Sequence, residues 1–468
     1  MNLVYGVKDR PKFGQMLVFA FQQLLAILAA TIAVPAIVQN GMSQSAALFG
    51  AGVGTIVYLL FTKFRSPVFL GSSFAFLPSM AAAFSGAYAN AVGGYAGLLL
   101  GAVFAGLVYV IIALVVKVAG VKWIDKLMPA VVIGPTVAII GLSLAGNAIG
   151  DAVGKNANGA VWDAGASAWI MNPRAWIFLI CALVTLCVVI LCSVYGKKMM
   201  KLIPFIIGIV AGYLVATVFT VIGSATGNET LKIIDFSQFA NMKWVPDFTF
   251  LKAIKGFKDL TGEYIASIAV AYVPVAFVVF AEHLADHKNL STIIGQDLTK
   301  DPGLHRTLLG DGVGSIAGAF FGGCPNTTYG ESIGCVAITR NASVVTIFCT
   351  AVLCIIASFF APFVTFLATI PGCVMGGVCI TLYGFIAVSG LKMLQKVDLN
   401  DNRNLFTASV ILIAGIGGMA LLIGKVKLTA IACALILGIV VNLVVNIKKK
   451  DAKPEENAEV SEAEAEKK

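Results

Sequence analysis

Long apolar runs follow one another along almost the whole chain, separated by short polar connections. A run of about 20 residues is long enough for a helix to cross about 30 Å of hydrocarbon. Two sets of runs lie on either side of a polar stretch at 224–255. The pattern predicts fourteen membrane segments, at 15–36, 46–62, 67–86, 92–118, 128–147, 174–195, 203–223, 263–282, 308–323, 327–340, 343–363, 368–391, 404–424 and 427–447.

The composition supports a polytopic helical membrane protein. Hydrophobic residues make up 59% of the chain and charged residues only 12%, with a mean hydropathy of +0.91. Soluble domains carry about 25% charged residues. The amino-terminal residues 1–14 are charged, and we expect no cleaved signal peptide there.

Basic residues fall in alternate connections, which is the positive-inside pattern. It predicts that both termini are cytoplasmic, and it explains the net charge of +9 without a nucleic-acid partner. The tail 448–468 is acidic and lacks aromatic residues, which is typical of disorder. The basic residues assigned to the inner side are Lys63, Arg65, Lys117, Lys122, Lys126, Lys197, Lys198, Lys201, Lys288, Lys300, Arg306, Arg340, Lys392, Lys396, Arg403 and Lys448.

The two sets of seven segments resemble each other. The fifth segment begins with Pro129 and has Gly134 five residues on, and the twelfth has Pro371 and Gly376 at the same spacing. Because seven is odd, two such halves have opposite orientations in the membrane. Inverted repeats of this kind recur in transporters.

The third segment of each half is interrupted by residues that disfavour a continuous helix. The first is SPVFLGSSFAFLPS at 66–79 and the second is CPNTTYGESIGCVAITR at 324–340. Irregular backbone persists at membrane depth only where it lines a cavity or is buried in protein. Broken helices at matching positions therefore predict a central binding site with free backbone N–H groups. A simple kink or packing site is the alternative.

Carboxylates accompany these segments. Glu282 follows an apolar run, Asp286 lies one helical turn later on the same face, and Glu331 is inside the second interrupted segment. An intramembrane carboxylate is costly and is a candidate for substrate binding or proton coupling. His283 and His287 are neighbours in sequence, with a packing role as the alternative. Their spacing does not place three ligands on one face, so we expect no metal site.

The ten cysteines are scattered through apolar runs without a CxxC pair, and we expect free thiols. The chain also lacks HExxH and a recognisable nucleophile–base pair, so we expect a protein that is not an enzyme.

AEHLADH at 281–287, KDPGLHRT at 300–307, PNTTYGESIG at 325–334, GSSFAF at 71–76 and LYGFIAVSG at 382–390 resemble bacterial uracil permeases. These belong to the nucleobase–ascorbate transporter family, the second family of nucleobase:cation symporters. The likeness covers nearly the whole chain, apart from the tail and the loop 224–255. It implies a bacterial cytoplasmic-membrane location, a nucleobase substrate and a homodimer in the lipid bilayer. It implies no cofactor beyond a proton or sodium gradient.

The resemblance implies an all-α fold of fourteen segments in two inverted sevens, with short strands in segments 3 and 10. A core domain would comprise 15–118 and 263–363, and a gate domain 119–223 and 364–447. The stretches outside these domains would be the cytoplasmic amino terminus 1–14, the extracytoplasmic loop 224–262 and the tail 448–468.

The resemblance also implies roles for individual residues. Glu282 and Glu331 would hold the base, and the backbone at Phe74 and Gly330 would donate hydrogen bonds. Glu282, Asp286 and His287 would couple proton movement to transport. The further residues placed at the substrate are Tyr329, Tyr383, Ala30 and Gln23.

Two positions depart from the family pattern. Asp286 stands where the best-known uracil permeases have histidine, and Ser332 stands where the family's short signature usually has asparagine. Aspartate at the first position also occurs in purine-type relatives. The sequence therefore predicts a uracil:proton symporter, with a xanthine or urate permease and sodium-coupled uptake as alternatives. An anion transporter shares the architecture, but paired carboxylates would repel its substrate.

Overall fold

The computed structural model describes residues 3–85, 91–120, 123, 127–155, 157–197, 199–423 and 426–447. Three basic residues of the topology prediction (Lys122, Lys126 and Lys198) and the tail 448–468 lie outside these ranges. The α-helices, numbered in chain order, are α1 Phe13–Val38, α2 Gln44–Phe61, α3 Leu77–Ala83, α4 Ala91–Ala119, α5 Ala130–Ser143, α6 Ala145–Ala152, α7 Pro173–Tyr195, α8 Met199–Leu202, α9 Pro204–Thr226, α10 Thr249–Gly256, α11 Gly262–Ile294, α12 Leu304–Gly322, α13 Gly330–Thr339, α14 Val344–Ser358, α15 Ala361–Ala368, α16 Gly372–Leu394, α17 Asn402–Ile416 and α18 Ala430–Val445.

Strands are few and short, and they form two-stranded antiparallel pairs. The pairs are β1 Leu70–Ser72 with β4 Asn326–Thr328, β2 Val161–Asp163 with β3 Ala168–Ile170, and β5 Leu421–Ile423 with β6 Val426–Leu428. The first pair confirms the predicted strands in segments 3 and 10. The last pair shows that the predicted segment 404–424 is too long, because its helix α17 ends at Ile416.

The described residues confirm a polytopic helical membrane protein. Seven single helices, and α5 and α6 taken together, are long and apolar enough to span a membrane, and α14 and α15, which meet at an 80° bend, pass the same test as a pair. The count of fourteen stays a prediction. Helix α11 continues to Ile294, twelve residues past the predicted end of its span at 282, because the hydrophobic run stops there while the helix does not.

The helices pack in two sets. In the first, α2 packs against α12 and α14, and α4 packs against α11 and α12. In the second, α16 packs against α5, α6 and α7, and α17 packs against α5 and α18. Helices α1 and α11 contact both sets, so the residues on their shared side lie between the two.

An inverted repeat is visible in the contacts of α5 and α6 with α16. A Cβ on Gly134 would lie 2.9 Å from the carbonyl oxygen of Gly390, and a Cβ on Gly376 would lie 2.9 Å from that of Ala148. When the two proline-capped helices are aligned, Gly134 corresponds to Gly376 and Ala148 to Gly390. The two contacts are therefore images of each other, as an approximate two-fold relation requires. Glycine is needed because the backbones leave no room for a side chain.

Candidate functional site

The two interrupted segments meet as strands at the centre of the protein. Leu70 pairs with Thr328, and Gly71 with Thr327, and every residue of both strands is buried. The hydrogen bonds beyond the strands have the same symmetry: Ser73 N donates to Pro325 O at 2.9 Å, and Tyr329 N donates to Phe69 O at 3.2 Å.. The pairing satisfies backbone groups that lipid could not, which is why non-helical chain is stable here.

Helices begin where these strands end. Helix α13 starts at Gly330, directly after Tyr329, and a 3-10 turn at Phe74–Phe76 leads into α3. Neither start has a side chain that caps its first N–H groups. Helix N-termini carry partial positive charge and free donors, so both starts can bind ligand oxygens. Glu331 lies in the first turn of α13, where a carboxylate interacts favourably with the helix dipole.

A cavity of about 410 Å³ lies against both helix starts, within the range of small-molecule sites. It brings together most of the residues that the sequence singled out. Its lining comprises Ser73, Phe74, Ala75, Val137, Ile140, Phe205, Val278, Glu282, Ala285, Asp286, Thr327, Thr328, Tyr329, Gly330, Glu331, Leu382, Phe385, Ile386, Ser389 and Met393. It is bordered by α5, α9 and α16 on one side and by α11 and the two broken segments on the other.

Three carboxylates face this cavity. Glu282 and Asp286 lie one turn apart on α11, and Glu331 lies at the start of α13. Asp286 Oδ2 accepts a hydrogen bond of 2.7 Å from Thr328 Oγ1. Among the described lining residues there is no lysine, arginine or histidine. The carboxylates are thus available to hydrogen-bond donors of a ligand rather than paired with protein cations.

Aromatic rings and free hydroxyls complete the lining. The Phe74 and Tyr383 rings meet edge to face with centroids 6.0 Å apart, which joins the two sides of the cavity although Tyr383 is not itself in the lining. The Tyr329 hydroxyl donates to Ser72 O at 2.9 Å, so its position is fixed by β1. The hydroxyls of Ser73 and Thr327 are buried in the lining without hydrogen-bond partners in the described protein.

The structure does not bring Ala30 or Gln23 to the cavity lining. Ala30 is 2% exposed in the apolar core that α1 shares with its neighbours. Gln23 Nε2 instead donates to Ser332 Oγ and, at 3.3 Å, to Ser332 O. Ser332 Oγ also accepts from Phe69 N at 3.1 Å. Position 332 therefore links α1, β1 and α13 beside Glu331, while its side chain stays behind the site.

His287 also lies outside the cavity, and its predicted part in coupling lacks a contact with the cavity carboxylates. Its side chain is buried, with 1% of its surface exposed. Nδ1 donates to His283 O at 2.8 Å, and Nε2 lies 2.7 Å from the Tyr58 hydroxyl. That hydroxyl is also 2.7 Å from Ser66 Oγ. The contacts tie α11 to α2 and to the start of segment 3.

The sequence analysis assigned no role at the site to several of the cavity residues. Val137 and Ile140 come from α5, and Phe385, Ser389 and Met393 come from α16. All are ordinary residues of apolar helices, and only the packing of the two helix sets places them opposite the carboxylates. The proline and glycine pattern that relates α5 to α16 was the available signal.

A larger cavity, of about 520 Å³, lies elsewhere, between the α1–α2 connection and the loop at 237–247. Its charged residues are Lys243 and Asp247, whose side chains form an ion pair at 3.2 Å. Its described lining includes neither the paired strands nor the helix starts that follow them. The smaller cavity is therefore the better candidate site.

A buried polar cavity between two helix sets, with paired strands and half-helix starts, defines a membrane transporter fold. The fold is similar to the transmembrane domain of the cyanobacterial bicarbonate transporter BicA, with a TM-score of 0.62 at 15% identity over 93% of this chain and 98% of that one. It is also similar to the murine Solute Carrier 26 family member A9 anion transporter, with a TM-score of 0.63 at 12% identity over 94% and 69% of the two chains. These likenesses concern the fold alone.

Residues 14–424 match the model of the Xan_ur_permease family, described as a permease family. The chain is 41% identical to the uracil permease of Bacillus caldolyticus over 94% of both chains. It is 39% identical to that of Bacillus subtilis over 98% of this chain and 97% of the relative, and 34% identical to that of Escherichia coli K12 over 94% and 93%. The chain therefore belongs to this permease family, and the resemblance seen in its motifs is confirmed.

Proposed function

We propose that this permease imports uracil across the bacterial cytoplasmic membrane by proton symport. The observation that carries the proposal is the convergence of Glu282 and Glu331 with two uncapped helix starts on one cavity. The similarity to uracil permeases over nearly the whole chain supports uracil as the substrate. The neutral base and its hydrogen-bonding groups fit the polar groups of the cavity.

Uracil has two N–H donors and two carbonyl acceptors in one plane. The carboxylates of Glu282 and Glu331 accept from N–H groups, and the amides near Phe74 and Gly330 donate to carbonyls. The Phe74 ring can cover the face of the base. A site that pairs every donor and acceptor discriminates strongly, because an analogue that lacks one leaves a buried group unsatisfied.

The same carboxylates disfavour an anionic substrate. With Asp286 they make three carboxylates that face the cavity, and the described lining has no basic side chain to balance their charge. Unlike the bicarbonate and anion transporters that share the fold, this site is suited to a neutral molecule rich in donors.

Coupling is proposed through Glu282 and Asp286, which lie in the cavity one turn apart. A proton taken up by a carboxylate removes a buried charge and changes what that group offers to the substrate. In alternating access, one set of helices would move relative to the others, with the strand pair between them. The moving set would comprise α5–α7, α9 and α16–α18. The proposed assembly is a homodimer with both termini in the cytoplasm.

The test is uptake of labelled uracil into liposomes that contain the purified protein, with an imposed pH or sodium gradient. Unlabelled uracil, xanthine, thymine and cytosine serve as competitors. We expect uptake that is driven by the pH gradient, competed by uracil and unaffected by xanthine. Uptake of xanthine in place of uracil would show that the substrate is a purine. Uptake driven by the sodium gradient and not by the pH gradient would show that sodium, and not the proton, is the coupling ion.

A further inference from the structure

A second group of buried ionisable residues lies behind the cavity and has no part in the site described above. His283 Nδ1 is 2.6 Å from Asp311 Oδ2, and the two side chains are 0% and 1% exposed. The contact joins α11 to α12. Isolated buried charges are costly, so a pair of this kind is a candidate for proton binding.

The partners of His283 allow two protonation states without movement of any heavy atom. The Thr307 hydroxyl lies 3.0 Å from His283 Nε2 and 3.0 Å from Leu304 O, and it has one hydrogen to give. If Thr307 donates to Leu304 O, Nε2 must carry a hydrogen and donate to Thr307. The short contact between Nδ1 and Oδ2 then needs one further proton, on either atom.

If Thr307 instead turns its hydrogen to Nε2, the histidine is neutral and donates from Nδ1 to an ionised Asp311. The pair thus holds one proton more in the first state than in the second. Its net charge is zero in the first state and minus one in the second. The rotation of one hydroxyl accommodates the change.

The other oxygen of Asp311 leads back toward the substrate cavity. Asp311 Oδ1 and the Tyr109 hydroxyl are both buried without a hydrogen-bond partner in the described protein. Both residues line a small cavity of about 10 Å³, which has room for about one water molecule. The Tyr109 hydroxyl is also next to the buried hydroxyl of Thr327, a residue that lines the substrate cavity.

We propose that His283 and Asp311 form a proton-binding pair that exchanges its proton with the substrate cavity through Tyr109, one bound water and Thr327. The proposal rests on proton symport as the function of the protein. The pair is a binding site for the proton that is transported with the substrate. It is separate from the carboxylates that contact the substrate.

Other ionisable groups surround the pair and contribute to its titration. Glu282 and Asp286 approach from α11 itself, where the His287 ring also stacks on His283 with centroids 4.0 Å apart. Tyr109 faces the pair from α4, and Tyr58 faces it from α2. His287 offers no onward route from His283, because its Nδ1 donates to a backbone carbonyl, which only accepts.

The critical variant is Asp311→Asn, which keeps the shape and removes the carboxylate that takes part in both protonation states. Asp259→Asn is the matched control, since it makes the same change at an exposed carboxylate. Net uptake driven by a pH gradient requires proton release, whereas exchange of labelled for unlabelled uracil does not. We expect Asp311→Asn to slow net uptake by about 10²-fold, a typical loss for a positioned proton-transfer group.

Exchange of uracil and its binding affinity should both stay within about twofold of the wild-type values, given that the pair does not touch the substrate. His283→Gln provides a second test of the pair if the first variant is unstable, and the same result is expected. Coupled net uptake at the wild-type rate in either folded variant would overturn the inference alone. Wild-type protein that moves no protons with uracil would overturn the proposed function and the inference together.

Discussion

Replacing Glu331 by glutamine isolates the charge of a cavity carboxylate that lies in the first turn of a helix. Glutamine has nearly the same shape and still offers one acceptor oxygen. It loses the negative charge and gains an NH₂ group that cannot accept. Gly330 and Tyr329, which precede it, would keep their backbone positions because the strand pair holds them.

The expected loss is the difference between a charge-assisted hydrogen bond and a neutral one. A hydrogen bond to a charged group contributes about 1.5–3 kcal/mol, and an ordinary one about 1 kcal/mol. The difference reaches about 2 kcal/mol, and we use this upper value because the new NH₂ group cannot accept a hydrogen bond from the substrate. A loss of about 2 kcal/mol in binding free energy raises Kd about 30-fold. Glu331→Ala removes the acceptor altogether and should abolish measurable binding.

Titration calorimetry of the purified protein with uracil measures the change directly. Glu263→Gln is the matched control, because Glu263 is an exposed glutamate in the first turn of α11, so the helix-dipole contribution is lost without any change in the cavity. Thermal unfolding without substrate shows whether the variants are folded. A Kd for Glu331→Gln within twofold of wild type would refute the assignment of Glu331 as a substrate acceptor.

Four further substitutions test the geometry of the site. Gly330→Ala adds a methyl group that meets no atom within 4 Å, so we expect an unchanged or raised Tm. Uracil binding should be weaker, because the methyl group enters the cavity, and an unchanged Kd would contradict this placement. Gly71→Ala places a Cβ 2.3 Å from the Tyr329 ring and should cost about 1–3 kcal/mol of stability, seen as a lower Tm. Ala30→Val overfills a buried site and should lower Tm while leaving the Kd for uracil unchanged, which tests whether position 30 contacts the substrate. His287→Gln should leave pH-driven accumulation intact, and a loss of coupling at normal binding would restore the role that the sequence predicted for it.

The sequence alone determined the class of the protein and the general position of its site. Apolar runs of membrane-spanning length are a local property, because lipid requires every helix to satisfy its own backbone groups. The interruptions at 66–79 and 324–340 violate that requirement, and only a binding site or buried packing explains them. Glu282, Asp286 and Glu331 were identified by the same reasoning, since charge is costly at membrane depth.

Only the tertiary structure decided which polar residues share a cavity. His283 and His287 are close to Glu282 in sequence, yet helical geometry turns both rings away, toward α12 and α2. Asp311 was not identified from the sequence, because its partner His283 lies on another helix. Contacts between helices depend on packing across the fold, and no local pattern encodes them. The sequence therefore determined that a polar site must exist within the membrane, and the packing of α11 against α12 and α13 determined which groups face the substrate and which lie behind it.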